Sequence, residues 1–171
     1  MSESNDTEVP QFHCDAMLCG LTRWLRCAGY DAAFEHGIDD GELVARAFAA
    51  KSVLLSSDGP LFDRRLVRDG AVRALFVPRH APVIEQTVFV LHAFGLTVRE
   101  PRCMACGGGL REISASEISE NEVAPGARTA FERFYRCARC SRVYWYGSHW
   151  ERIARTRAEI VRRLTKGASD R

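Results

Sequence analysis

Four of the seven cysteines fall in two Cys-x-x-Cys pairs, Cys103 and Cys106 in "CMAC" and Cys137 and Cys140 in "CARC". Two residues between thiols let a tight turn aim both sulfurs at one ion, and Zn²⁺ takes four such ligands in a tetrahedron. Gly107 follows the first pair, where the turn needs a residue tolerant of positive φ. The 30 residues between Cys106 and Cys137 exceed the usual finger spacing and suit a ribbon whose two knuckles are joined by β-hairpin arms. The rival chemistry is a pair of redox dithiols. A thioredoxin-type pair needs a strand before it and a helix after it, and neither flank has that pattern. A closed four-thiolate shell has no open position, so the expected Zn²⁺ is structural. The adjacent "GGG" at 107–109 lacks the Lys-Ser/Thr of a phosphate loop and reads as turn chemistry.

The second set is acidic. In "FHCDAML" the lone carboxylate Asp15 sits inside an apolar run, a placement that costs several kcal/mol unless something compensates. Asp39 and Asp40 open a helical segment, and Asp58 follows the apolar "SVLLSS". All lie at strand ends or helix starts, where ligands collect in open parallel α/β sheets. Clustered carboxylates need a cation, and hard oxygen ligands select Mg²⁺ or Mn²⁺. Such a site can activate water for phosphodiester cleavage. Each acid has a plainer role open to it: Asp39 or Asp40 as a helix cap, Asp58 as a cap for the next helix. Asp63, five residues beyond Asp58, is turned away from the expected face and is a weak candidate. Strand alternation sends Cys14 to the side opposite Asp15. Cys19 and Cys27 lie among apolar residues and are expected to behave as small hydrophobes.

A third set surrounds the second knuckle. In "RVYWYGSHW", Tyr144, Trp145, Tyr146 and Trp150 lie among Arg139, Arg142, Arg152 and Arg155. Aromatic faces with interleaved Arg suit stacking on unpaired bases and holding phosphates. The alternative is that these rings pack the ribbon, whose own core is small, and at least two are expected to do so. His149 is expected to face substrate or solvent, since four cysteines already fill a metal shell. Arg23 and Arg26 are further candidates for phosphate contact. Residues 1–98 carry a net charge of −4 and residues 99–171 one of +6, an asymmetry that suits a polyanion at the back half.

These groups need a scaffold, and the first hundred residues alternate between two periodicities. "QFHC", "YDAAF", "SVLLSS" and "AVRALFV" read as short strands. Between them, "MLCGLTRWLRCAG" places Leu18, Leu21, Leu25 and Ala28 on one helical face and stops at Gly29. "DDGELVARAFAAK" carries an Asp39…Glu42 capping box. "GPLFDRRLVRDG" reads as one short helix, and "APVIEQTVFVLHAFG" as another with Ile84, Val88, Leu91 and Phe94 inward. The alternation predicts an α/β sandwich around a mainly parallel sheet. From Cys103 to Tyr146 the pattern changes to β-prone pieces such as "GLREIS" and "RFYRC", and "SHWERIARTRAEIVRRLTK" closes the chain as a basic helix fraying into "GASDR".

Composition adds bounds. The chain has 171 residues, 46% hydrophobic and 27% charged, an ordinary globular balance. No apolar run approaches the roughly 20 residues that span a bilayer, so no membrane partner is expected. The polar, acidic start is unlike a signal peptide, which makes a cytoplasmic location the default. The expected divisions are a lead-in over 1–10, an α/β domain over 11–98, a zinc ribbon over 99–150 and a basic helix and tail over 151–171.

Taken in order, "DAMLCGLTRWLRCAGYDAAF", "DDGELVARA", "VLLSSDGPL", "RCMACGGGL" and "CARCSRVYWYGSHW" resemble the Mut-seven C-terminal RNase family. The resemblance runs from about Phe12 to Trp150. It implies a PIN-like three-layer fold with a C-terminal zinc ribbon, a metal-dependent ribonuclease activity and RNA as partner. It also implies Mg²⁺ or Mn²⁺ on Asp15, Asp40 (or Asp39) and Asp58. Two positions depart from the family pattern. Ser56-Ser57-Asp58 stands where Thr-Arg-Asp is usual, keeping the hydroxyl and losing a basic residue; Gly107 stands where Asn is usual. Two other functions remain compatible with the residues: an RNA-binding module whose acids do not cleave, and a thiol- or zinc-handling protein.

Overall fold

The computed structural model describes residues 9–169, so most of the expected lead-in and the last two residues lie outside the described chain. Four short strands, β1 (Phe12–Cys14), β2 (Ala32–Phe34), β3 (Val53–Ser56) and β4 (Ala74–Phe76), form a parallel sheet in the order β2-β1-β3-β4. The helices between them are α1 (Cys19–Cys27), α2 (Asp40–Ala49), α3 (Arg65–Arg68) and, after the last strand, α4 (Val83–Ala93).

The two-residue period of the strands sorts their side chains into two cores. Phe12, Cys14, Val53 and Leu55 face one side and meet Leu21 and Leu25 of α1 and Val90 and Leu91 of α4. Leu54 faces the other and meets Leu43, Val44 and Ala47 of α2, with Leu66 and Val67 of α3 beside them. This is the three-layer α/β sandwich that the alternation predicts. Leu25, Leu54 and Leu55 are fully buried, and burial of each contributes roughly 1.5–3 kcal/mol.

The predicted α1 face of Leu18, Leu21, Leu25 and Ala28 is buried as a unit. Gly29 ends the helix at φ +100°, and a Cβ there would come within 2.7 Å of Glu100 O, because residues 99–102 lie against the α1 terminus. Arg99 N–H donates to Ala28 O and Arg102 N–H to Arg26 O, both at 2.9 Å.

Four expectations need correction. "GPLFDRRLVRDG" is not one helix: a 3-10 turn over Pro60–Asp63 is followed by extended Arg64 and the single turn of α3. The inward face of α4 is wider than expected: Ile84, Val88, Leu91 and Phe94 do pack on the core, and Gln86, Thr87 and Val90 are buried as well, because a further helix also packs on it. Cys19 is exposed rather than a core hydrophobe. Finally, the closing helix, α6 (Ser148–Ser169), starts at Ser148 as expected but continues through Gly167, where fraying was expected.

The second sheet is antiparallel, β5 (Leu110–Ile113), β6 (Phe134–Cys137) and β7 (Val143–Trp145), with the short α5 (Ala127–Ala130) in the long β5–β6 connection. Its core is Ile113, Ile118, Val123, Ala127, Phe134 and Val143. From β7 the chain runs into α6, which returns to the first sheet's layers: Ile160 is buried in the same core as α1 and α4. Among the described residues no helix is long and apolar enough to cross a membrane.

Candidate functional site

The strand order places a topological switch between β1 and β3: α1 leaves toward one face of the sheet, while α2 and α3 cover the other. Helices on either side of such a point part at the carboxyl ends of the strands and leave a crevice there. Asp15 follows β1 directly and Asp58 lies two residues beyond β3.

Asp15 is 8% exposed. Ser56 Oγ donates to its Oδ2 at 2.6 Å and accepts the Asp58 backbone N–H at 2.9 Å. Asp15 N–H donates to Leu55 O at 2.9 Å, which locks the two strand ends together. No side-chain oxygen or nitrogen among the described residues is both fully buried and unpartnered. Asp15 Oδ1 has no donor among the described residues. Asp58 is half-buried, and among the described residues its carboxylate has no partner.

The Asp39/Asp40 alternative separates cleanly in structure. Asp39 is the N-cap of α2, accepting from Gly41 N–H at 2.7 Å and Glu42 N–H at 3.4 Å. Only this half of the expected capping box forms, since Glu42 pairs with Arg46 at 2.8 Å. Asp40 instead lies 3.6 Å from Arg64. Asp63 is exposed on the 3-10 turn. Asp15, Asp40 and Asp58 do not form a tight cluster: among the described residues, the group whose ligand atoms all lie within 4.8 Å of one another is the four cysteines. Mg²⁺ keeps several waters and takes only one or two carboxylates directly, so it does not require a tight cluster.

The cysteine group is Cys103, Cys106, Cys137 and Cys140. Their sulfurs approach at 3.6 Å (Cys103–Cys140) and 3.5 Å (Cys106–Cys137). A tetrahedron with bonds of about 2.3 Å separates its sulfurs by about 3.8 Å, so the four could hold Zn²⁺. All four are free thiols, and a disulfide needs about 2.05 Å. The two knuckles match: Gly107 N–H bonds to Cys103 O and Ser141 N–H to Cys137 O, with positive φ at both donors, 79° and 60°. Backbone N–H groups of Gly108, Arg139 and Cys140 point at the sulfurs at 3.3–3.4 Å. Burial pushes the Cys103 thiol up, but the Tyr144 hydroxyl at 3.0 Å and the N–H groups of Cys106 and Ala105 outweigh it and bring it down to about 6.

Several expected nucleic-acid contacts have other occupations. Arg26 is buried, with Nε donating to Ala32 O and Nη1 to Met104 O and Ala105 O; it fastens the first knuckle to α1 and cannot reach phosphate. Tyr144 lies on the Cys103 sulfur, and Trp145 packs with Phe131 in the ribbon core, so these are two of the rings that pack. Arg23, Arg142, His149 and Arg152 are exposed, His149 and Arg152 within 3.5 Å of each other. Burial lifts the Cys14 thiol to about 12 and Cys27 to about 11, which leaves neither a usable thiolate at neutral pH.

Sequence reasoning noted Ser56 only as a surviving hydroxyl and missed Arg64 and Asp31. Asp31 receives Arg139 Nη2 at 2.7 Å and Arg102 Nη2 at 3.4 Å, tying both knuckles to the loop before β2. Its only sequence signal was an acid among basic ribbon residues more than 70 positions away.

A parallel sheet with Asp15 and Asp58 at the strand ends beside its switch point, and a four-cysteine ribbon packed on its side, defines an α/β protein with an appended ribbon. The family model described as "Mut7-C RNAse domain" matches residues 10–157, and the chain belongs to that family. A curated human protein, "Exonuclease mut-7 homolog", is 32% identical over 97 residues, which is 54% of this chain and 11% of that protein. The chain thus spans about a tenth of that relative's length. No solved structure matches.

Proposed function

We propose that the chain is a metal-dependent ribonuclease that hydrolyses RNA phosphodiester bonds at the crevice of Asp15, Asp40 and Asp58. The observation that carries this is the Asp15–Ser56–Asp58 hydrogen-bonded unit at the switch point of a Mut7-C RNase-family chain. Asp15 offers Oδ1 to the crevice while Ser56 fixes Oδ2, Asp58 presents an unpaired carboxylate, and Asp40 adds a third negative charge through or past Arg64. Bound Mg²⁺ or Mn²⁺ would supply a nucleophilic water and charge stabilisation at the leaving oxygen. Asp39 serves α2 as its cap. The ribbon holds structural Zn²⁺ on its four cysteines, and exposed Arg142, His149 and Arg152 contribute cationic surface for RNA. Reduced thiols of this kind suit a cytoplasmic setting.

The test is cleavage of labelled RNA by the purified chain with and without Mn²⁺, beside Asp15→Asn and Asp58→Asn. Product that depends on Mn²⁺ and falls at least 100-fold in each variant, the scale of a lost catalytic charge of several kcal/mol, is the expected result. Undiminished cleavage in both variants sinks the proposal. The Asp40–Arg64 pair favours one alternative, a binding module whose third acid is neutralised. That alternative gives salt-dependent RNA binding with no Mn²⁺-dependent product.

A further inference from the structure

The parallel register pairs Phe76 at the end of β4 with Ser56 at the end of β3. Cys14 pairs with Leu55 in the same sense, so Asp15, Ser56 and Phe76 form one row across three strand ends. Directly aligned residues of a parallel sheet project to the same face. Phe76 is nevertheless 48% exposed. Beside it stands Phe62, on the turn that follows Asp58, with the ring centroids 5.9 Å apart at an interplanar angle of 55°. Two residues further along the same segment is Arg64. Aromatic surface is therefore left in water beside the strand ends that carry Asp15 and Asp58, contributed by the end of β4 and the segment that follows β3. Phe48 and Phe89 are also exposed, but they lie on helices α2 and α4 and have no ring partner among the described residues.

We propose that Phe62 and Phe76 form a stacking platform for an unpaired nucleobase next to the phosphodiester held at Asp15, Ser56 and Asp58, so that the site takes single-stranded RNA in preference to duplex. The proposal rests on the ribonuclease function above. Every base offers a π-face, and a base locked in a duplex does not, so a flat apolar ring at the crevice lip selects strandedness rather than sequence. Arg64, which follows the same turn and lies 3.6 Å from Asp40, adds a cation for the adjoining phosphate.

The experiment uses the full chain as Asp15→Asn, which retains the RNA uncut, and a single-stranded oligonucleotide carrying 2-aminopurine. Anisotropy and base-fluorescence quenching are read for the parent and for added Phe76→Ala, Phe76→Leu and Phe76→Trp, alongside an abasic oligomer of the same length. Stacking losses predict roughly 5- to 100-fold weaker binding of the base-bearing strand in Phe76→Ala and Phe76→Leu, with quenching lost. Phe76→Trp keeps both, and the abasic strand binds all four proteins alike. Phe76→Leu preserves apolar volume without a π-face, so it separates stacking from packing even where Phe76→Ala fails to fold. Parent-like binding by Phe76→Leu, or equal loss on base-bearing and abasic strands, overturns the platform. So does a wild-type dimer that dissociates on Phe76→Ala with RNA affinity intact. If wild type yields no Mn²⁺-dependent product while quenching still needs Phe76, the ribonuclease function fails and the platform stands. Mn²⁺-dependent cleavage with quenching indifferent to Phe76 gives the reverse.

Discussion

A carboxylate held 8% exposed needs donors, and among the described residues Ser56 Oγ at 2.6 Å is a side-chain donor to Asp15. The same hydroxyl accepts the Asp58 N–H, so one atom orients two acids. Ser56→Ala removes a hydrogen bond to a charged group and leaves the Asp58 N–H without its acceptor. Unsatisfied buried groups cost about 1–3 kcal/mol, so the urea midpoint should fall accordingly. Under the proposed ribonuclease function Ser56 positions rather than reacts, so RNA cleavage should drop mainly in kcat, with KM and the Mn²⁺ requirement preserved. A variant with wild-type kcat would show that Asp15 is oriented by something else. The sequence exposed Asp15 and Asp58 as strand-end acids because apolar strands make such residues conspicuous. It did not expose their joint tie to Ser56, which depends on β1 and β3 being neighbours in register. That adjacency is set by crossover packing between residues 41 positions apart, not by local periodicity.

At the scale of elements, the first knuckle is fastened to α1 by Arg26, whose guanidinium meets three carbonyls at 2.7–3.1 Å. Asp31 adds Arg102 and Arg139 from the two knuckles. Gly107 sits where this contact is tightest: a Cβ there would lie 2.5 Å from Asp31 Oδ1. Arg26→Met keeps most of the buried stem and deletes the charged donors. Hydrogen bonds to charged groups are worth about 1.5–3 kcal/mol each, yet the freed carbonyls can recover water, so a net loss of about 3 kcal/mol is expected, read by urea denaturation. The zinc-loaded ribbon should at the same time release metal faster to a chelator. Unchanged stability and release would show that the clamp is incidental. None of this was legible from α1 alone. A helical wheel marks Arg26 as polar, and its partners Met104 and Ala105 come 78 and 79 residues later. The strands and the α1 stripe were legible because burial imposes a period. The broken "GPLFDRRLVRDG" segment was not, since a 3-10 turn and a one-turn helix share the composition of one short helix.

Across the whole molecule the ribbon is anchored at both ends. Residues 99–102 lie on the α1 terminus, and α6 leaves the ribbon to place Ile160 in the core of the parallel sheet. Arg157 donates to Arg99 O and Arg163 lies 3.7 Å from Glu85 of α4, so the returning helix is tied along its length. A ribbon hung on a flexible linker would melt by itself when its metal is withdrawn. Here, collapse of the knuckles removes the support of Arg26 and frees the start of α6, and both losses reach the first sheet. Zinc bound only to the folded state stabilises by mass action, about 4 kcal/mol at a thousandfold excess over Kd. That stabilisation should appear in the α/β layers as well as in the ribbon. We therefore expect one thermal transition in the zinc-loaded chain, shifted down as a whole by a strong chelator or by Cys137→Ser. Amide exchange at Leu54 and Leu55 in β3 should accelerate together with exchange at Phe134 and Tyr135 in β6. Exchange that quickens in β6 while β3 keeps its full protection would show two independent units, and the contacts made by Arg26, Asp31 and Ile160 would then be too weak to couple them.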